Sequence, residues 1–178
     1  KALAIKPDYA AAHYNLGLAL KELGKLEEAV ASYHKALAIK PDYADAHYNL
    51  GKALQGLGEA DDALVSYRKA LDLEPDFTAA HTSLGVALLQ LGKLDEAIAS
   101  FQKALGLKPD FAEAHNNLGT ALHKLGKLDE AVASYRKALD LNPDYAEAHY
   151  NLGNALKELG KPEEAVTSYH KALDLKPD

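Results

Sequence analysis

Six of the seven prolines fall at one step: Pro7, Pro41, Pro75, Pro109, Pro143 and Pro177 are each 34 residues apart, and only Pro162 stands outside the series. Other residue types keep the same step. His13, His47, His81, His115 and His149 do so, as do Gly17, Gly51, Gly85, Gly119 and Gly153, and again Gly24, Gly58, Gly92, Gly126 and Gly160. Self-similarity at this period predicts a stack of small supersecondary units in which each unit touches its neighbours, and it outranks any local motif. The units are read as 10–43, 44–77, 78–111, 112–145 and 146–178, after a stub at 1–9 that matches the end of a preceding unit. Together they form one solenoid domain.

Within a unit the apolar residues follow a helical period. In residues 10–43, Leu16, Ala19, Leu20 and Leu23 fall on one face at spacings of three and four. Gly24-Lys25 makes a turn. A second apolar stripe follows, formed by Leu26, Ala29, Val30, Tyr33, Ala36, Leu37 and Ile39. Lys40-Pro41 ends it, because a residue before proline is pushed out of the α region. Asp42 is placed to cap the next helix. Asp110 with Glu113, and Asp144 with Glu147, resemble a capping box. Each unit is therefore two antiparallel helices, here called A and B, and the fold class is all-α. Pro162 falls in the first turn of its helix B, where proline is tolerated. Gly106 lies inside another helix B and is expected to cost about 1 kcal/mol relative to Ala, which makes 78–111 the softer unit.

The pattern resembles the tetratricopeptide repeat (TPR) family, whose 34-residue helical hairpin has a Leu-Gly pair in helix A, small alanines at the helix crossing, an aromatic in helix B and a closing proline. Here these stand as Leu118-Gly119, Ala131, Tyr135, Ala138 and Pro143, with counterparts in the other four units. One departure is His where the family often carries Trp, as at His13 and His115, which is expected to cost packing but not the fold. The resemblance implies an α-solenoid coiled into a right-handed superhelix, with helix A lining its concave face. Glycines in the Gly17 series would let helix B approach closely. Tyr33, Tyr67, Phe101, Tyr135 and Tyr169 are large enough to fill each hairpin.

Chemistry that could make an enzyme is not found. There is no Cys, which excludes disulfides, thiolate metal sites and cysteine nucleophiles. Equivalent atoms of adjacent repeats should lie about 8–10 Å apart, too far for the five repeated histidines to share zinc at ~2.0–2.1 Å. They read as half-buried packing residues. His34 and His170 are expected to face solvent, and His123 stands alone in helix A. The recurring Ser32, Ser66, Ser100, Ser134 and Ser168 sit mid-helix without a nucleophile elbow and read as small surface residues. The acid pairs from Glu27-Glu28 to Glu163-Glu164 open helix B, where the helix dipole favours them. No cofactor and no metal is expected. A net charge of -6 without a Lys/Arg run argues against nucleic acid and anionic membranes, and no apolar run approaches the ~18 residues of a membrane span. The lack of any Met, an initiating one included, leads us to expect an excerpt of something longer.

Function is therefore sought on the helix A surface, where TPR relatives commonly bind extended peptides. One row there reads Asn15, Asn49, Ser83, Asn117 and Asn151. The row before it reads Tyr14, Tyr48, Thr82, Asn116 and Tyr150, and one turn on come Leu18, Lys52, Val86, Thr120 and Asn154. An amide both donates and accepts, so a ladder of them can hold a peptide backbone regardless of its side chains. In this the chain resembles the TPR region of O-linked N-acetylglucosamine transferases, which implies a substrate-recruiting role as the alternative to a free-standing, non-catalytic scaffold. A second reading of the ladder stays open: the amides bond to the adjacent repeat or to their own helix. The tyrosines offer rigid amphipathic contact area, or else pack on the next helix. Capture of an acidic chaperone tail is disfavoured, because Asp45, Glu113 and Glu147 line the neighbouring row and Lys52 is the stray cation. The ends are expected to expose apolar stacking surface and to associate end to end, which would give open fibres.

Overall fold

A computed structural model describes residues 7–176, and among them it shows ten α-helices and no strand. The helices are α1 (Pro7–Glu22), α2 (Leu26–Ile39), α3 (Ala44–Gly56), α4 (Ala60–Leu73), α5 (Thr78–Gln90), α6 (Leu94–Leu107), α7 (Ala112–Lys124), α8 (Leu128–Leu141), α9 (Ala146–Glu158) and α10 (Pro162–Leu175). The chain divides into two compact units, Lys1–Leu91 and Gly92–Asp178. In the first, α1 to α5 pack in chain order, each on the next; in the second, α6 to α10 do the same. This is the helix-on-helix layering of an α-solenoid. Residues 1–6 of the expected stub lie outside the described residues. Pro7–Tyr9 form the first turn of α1 and not the end of a helix B, with Pro7 in the position where a missing N–H costs nothing.

Backbone chemistry sets each turn. Helix A ends at a glycine in the left-handed region: Gly58 has φ 82° and Gly126 φ 80°. The N–H of Glu59 then reaches the carbonyl of Leu54 at 2.9 Å, and that of Gly58 the carbonyl of Gln55 at 3.1 Å. These two bonds form a Schellman motif, which satisfies carbonyls that the helix end would otherwise orphan. Helix B opens with acids in its first turn throughout, and α10 opens on Pro162. The start of helix A differs from expectation. Asp42 lies in the turn, the N-cap is Tyr43, and no side chain caps the helix. Glu147 likewise does not close a capping box; its carboxylate accepts from Asn116 Nδ2 at 3.2 Å.

Histidine takes over part of the capping task. Nε2 of His47 and His81 lies 2.8 Å from the carbonyls of Pro41 and Pro75, and Nε2 of His115 and His149 lies 2.9 Å from those of Pro109 and Pro143. A carbonyl only accepts, so Nε2 carries the proton. The ring thus ties the first turn of helix A to the proline that ended the preceding helix B. Of the recurring serines, Ser32, Ser66 and Ser168 are buried, contrary to expectation, while Ser100 and Ser134 are partly exposed; all five hydroxyls donate to the carbonyl four residues back, as Ser32 does to Glu28 at 2.9 Å.

Inside four of the hairpins, α1–α2, α3–α4, α7–α8 and α9–α10, a ring lies against a glycine. A Cβ added at Gly17 would sit 2.5 Å from the Tyr33 ring, and at Gly119 2.7 Å from Tyr135. Gly51 with Tyr67 and Gly153 with Tyr169 repeat the contact. Tyr33 and Tyr67 are 0% exposed and Tyr135 is 1% exposed. Their hydroxyls fare differently. Tyr67 donates to Gln55 Oε1 at 2.8 Å and Tyr135 to Thr120 Oγ1 at 3.3 Å, whereas the Tyr33 hydroxyl has no partner. Leu18 stands in the register position of Thr120, and Lys21, in that of Gln55, is bonded to Asn49, which explains the difference.

Burial pushes the phenols of Tyr33 and Tyr135 up to about 12. A raised phenol pKa keeps the proton on the folded form while the unfolded form loses it. Stability is therefore unaffected well below pH 10 and falls between pH 10 and 12, by up to about 1.4 kcal/mol per pH unit for each ring. Alkaline titration followed by phenolate absorbance and helical circular dichroism should show these two rings ionising only as helix is lost. A full complement of phenolate at pH 10.5 with helices intact would contradict this packing.

Candidate functional site

The three rows of candidate residues are helix A positions, and their environments differ. In the first unit, Asn15 on α1 and Lys52 on α3 are exposed, while Tyr14 and Tyr48 are half-buried. Asn49 is 8% exposed and fully engaged. Its Nδ2 donates to the Asp45 carbonyl at 3.0 Å and to the Tyr14 hydroxyl at 3.2 Å, and its Oδ1 accepts from Lys21 Nζ at 2.8 Å. Of the two readings of the asparagine ladder, the bond to the adjacent repeat holds at Asn49.

Lys21 was not singled out from the sequence. Burial, and then the charge of Lys52, pull its ammonium below the usual range, while Glu22 acts the other way. Two cations therefore share this part of the surface, which corrects the picture of Lys52 as a lone stray charge. A signal existed in the sequence: Lys21 stands in the register of Gln55, Leu89, His123 and Lys157, polar in four of five repeats.

The tyrosines pack as well as present surface. Tyr14 stacks on Tyr43 with centroids 4.9 Å apart, and Tyr48 on Phe77 at 4.9 Å. Each also meets the buried ring of its own hairpin, Tyr33 at 6.1 Å and Tyr67 at 6.0 Å. Lys52 Nζ lies 5.8 Å from the Tyr48 centroid, within reach of a cation–π contact.

In the second unit, Asn116 is 0% exposed and cannot meet a ligand as the helices stand. The first turn of α9 covers it: Nδ2 donates to the Tyr145 hydroxyl at 3.4 Å and to Glu147 Oε1 at 3.2 Å, and Oδ1 accepts from Asn151 Nδ2 at 3.1 Å. Asn116 is thus a positioning residue between α7 and α9. Asn117 and Asn154 are half-buried, and Asn154 Oδ1 accepts from the Tyr169 hydroxyl at 2.9 Å. Tyr150 is 55% exposed, with Tyr169 at 6.0 Å. It lines a groove of about 440 Å³ with Ala146, Glu147, Tyr169, Ala172 and Leu173.

Among the described residues no group of three His, Asp or Glu side chains is placed to hold a metal, and no helix is long and apolar enough to cross a membrane. His34 and His170 are exposed, whereas His123 is not isolated: its Nε2 lies 3.0 Å from Glu158 Oε1.

The side chains left open for a ligand are therefore Asn15, Lys52 and Asn117, with the tyrosine edges, and not the whole ladder. Replacing Asn49 by Ala would leave Tyr14 and Lys21 without their partner and should cost about 1–3 kcal/mol. Asn15→Ala should stay within about 0.5 kcal/mol of the parent. Urea unfolding of the two variants measures the difference, and equal stabilities would show that Asn49 is not structural.

Comparison with known proteins agrees with this architecture. A family model described as "TPR repeat" matches residues 1–24, 17–58, 87–126 and 119–160; two described as "Tetratricopeptide repeat" match 44–77 with 146–178, and 66–99. Curated protein sequences yield no match. Among solved structures, one of MamA protein is 26% identical with a TM-score of 0.88, covering 96% of this chain and 93% of its own. MamA from Desulfovibrio magneticus RS-1 is 24% identical with a TM-score of 0.90, covering 95% and 96%, a likeness of fold alone. YrrB, described as a TPR protein with an unusual peptide-binding site, is 29% identical with a TM-score of 0.80, covering 93% and 86%. With a 34-residue hairpin, a glycine facing an aromatic and family matches along the whole chain, this protein belongs to the tetratricopeptide repeat family.

Proposed function

We propose that the chain is a non-catalytic protein-interaction scaffold that binds an extended peptide segment on its helix A face. The observation that carries this reading is the division of labour among its amides. Asn49, Asn116 and Asn151 are spent on bonds between helices, while Asn15 and Asn117 take no part in them. Free amides on an ordered framework can pair with a peptide backbone without first giving up a structural bond. Tyr14 and Tyr48, held by stacking, add rigid amphipathic edges at low entropic cost. Lys21 and Lys52 give the first unit a cationic element that suits an acidic side chain in the ligand. The likeness to YrrB adds support, since that protein is described as having a peptide-binding site. The same face would serve equally as the recruiting region of an attached glycosyltransferase.

The test is a fluorescence-polarisation screen of a pool of extended peptides against the parent and an Asn15→Ala, Asn117→Ala double variant. Each lost hydrogen bond should remove about 1 kcal/mol, so the double variant should bind at each unit about fivefold more weakly with its helices intact. Affinity unchanged by both substitutions would place binding elsewhere.

End-to-end association is a second reading, favoured by one observation. Tyr14 and Tyr48 each carry, at 4.9 Å, the aromatic at the N-cap of the next helix A, whereas Tyr150 beside its apolar groove is 55% exposed. A second copy offers a matching surface on α1. There Leu16 is 50% exposed although its counterparts Leu50 and Leu152 are buried, and Asn15 has the register of Asn49, the residue that bonds Tyr14. In-register docking would bring Lys1–Asp8 of one copy to the place of Lys171–Asp178 of the other, so removing residues 1–6 should strengthen it. Sedimentation should show concentration-dependent association that Tyr150→Glu abolishes; a monomer at millimolar concentration with residues 1–6 removed would rule it out.

A further inference from the structure

Helices B carry a second kind of groove, on residues that the helix A face does not use, and it occurs in both units at matching positions. In the second unit it lies between α8 and α10 over α9. It is lined by Arg136, Leu152, Leu156, Glu164, Thr167 and Ser168 and encloses about 220 Å³. Arg136 Nη2 reaches across it to Glu164 Oε2 at 2.8 Å, and Val132 beneath is 5% exposed.

The counterpart in the first unit lies between α2 and α4 over α3. Its floor is Leu50 and Leu54, 4% and 6% exposed, with Val30 and Val65 on its sides. His34 takes the register position of Arg136, and Asp62 that of Glu164, with Glu59 beside it. No hydrogen bond or ion pair joins His34 to Asp62, since imidazole lacks the reach of the arginine stem. The space widens to about 380 Å³, Val30 is half-buried where Val132 is buried, and Val65 is 65% exposed.

The second unit thus shows what completes such a groove: a guanidinium whose stem lies over the leucine floor and whose head meets the acid opening the next helix B. We infer that the Val30–His34–Asp62–Val65 groove docks an arginine side chain, flanked by apolar residues, from a partner protein. Apolar walls take the stem and the neighbouring side chains. Asp62 and Glu59 supply the charge complement, on a chain whose net charge of -6 already attracts cationic partners. Arginine suits the site better than lysine because its planar fork can meet a carboxylate while its stem stays flat on leucine.

The test uses the blocked tripeptide acetyl-Leu-Arg-Leu-amide and its neutral isostere with citrulline in place of arginine, titrated into the whole chain and read by methyl NMR. Saturable shifts are expected at Val30 and Val65 with the arginine peptide, at least fivefold weaker with citrulline. His34→Arg, an exposed substitution that rebuilds the Arg136–Glu164 arrangement, should close the groove and abolish them. Arg136→His should open the second groove and add shifts at Leu152 and Leu156. The Asn15→Ala, Asn117→Ala variant should leave every one of these responses intact, so failure of the helix A reading and of this one are separable. The inference is overturned by any of three results: silent Val30 and Val65 methyls, equal response to citrulline, or a response that survives His34→Arg.

Discussion

A tyrosine ring lying on a glycine is the contact on which the hairpins α1–α2, α3–α4, α7–α8 and α9–α10 depend. Helix A and helix B can approach closely only because Gly17, Gly51, Gly119 and Gly153 present no Cβ to Tyr33, Tyr67, Tyr135 and Tyr169. Alanines complete the approach: Ala29, Ala36, Ala63 and Ala70 in the first unit, and Ala131 and Ala138 in the second, are all 0% exposed. Small residues on one side and one large ring on the other give dense packing from a short sequence. The left-handed glycine that follows helix A then returns the chain in a fixed direction. Close approach, ring and reversal together determine a hairpin, and repetition does the rest.

Because the hairpin is held by these inward contacts, its outward positions are free to vary, and the variation makes surfaces. On helix A one row has been divided between structure and availability, with Asn49 fastened and Asn15 left open. On helix B the same groove appears twice, shut by an arginine in one unit and left wide by a histidine in the other. In both cases the copies explain one another: what fills a site in one repeat identifies what a vacant copy would accept. Single-domain folds offer no such internal control.

The repeat, the helix pairs, the turn positions and the small and large residues of the hairpin interior were legible in the sequence, because each follows from spacing that recurs in register; that each ring lies on the glycine itself came from the structure. What was not legible depended on partners distant in sequence. Asp42 had the composition of a cap, yet the first turn of helix A is fastened by His47 to the Pro41 carbonyl, a bond between residues six apart that no capping rule anticipates. The burial of Asn116 follows from Tyr145 and Glu147 lying over it, about thirty positions further on. The pairing of Lys21 with Asn49 spans the turn, α2 and the next turn. Charge and amide content could be read along the chain; which amides were already committed could not.

Two glycine substitutions of identical chemistry test the central claim most directly. At Gly119 an added methyl would stand 2.7 Å from the Tyr135 ring, whereas at Gly106, exposed in the last turn of α6, it meets nothing within 4 Å. Urea unfolding should show Gly119→Ala destabilised by about 1–3 kcal/mol and Gly106→Ala stabilised, by at most about 1 kcal/mol. Opposite signs would establish that the glycine matters for the space it leaves to the ring. Equal effects of the same sign would contradict the account, because they would reduce both positions to helix propensity.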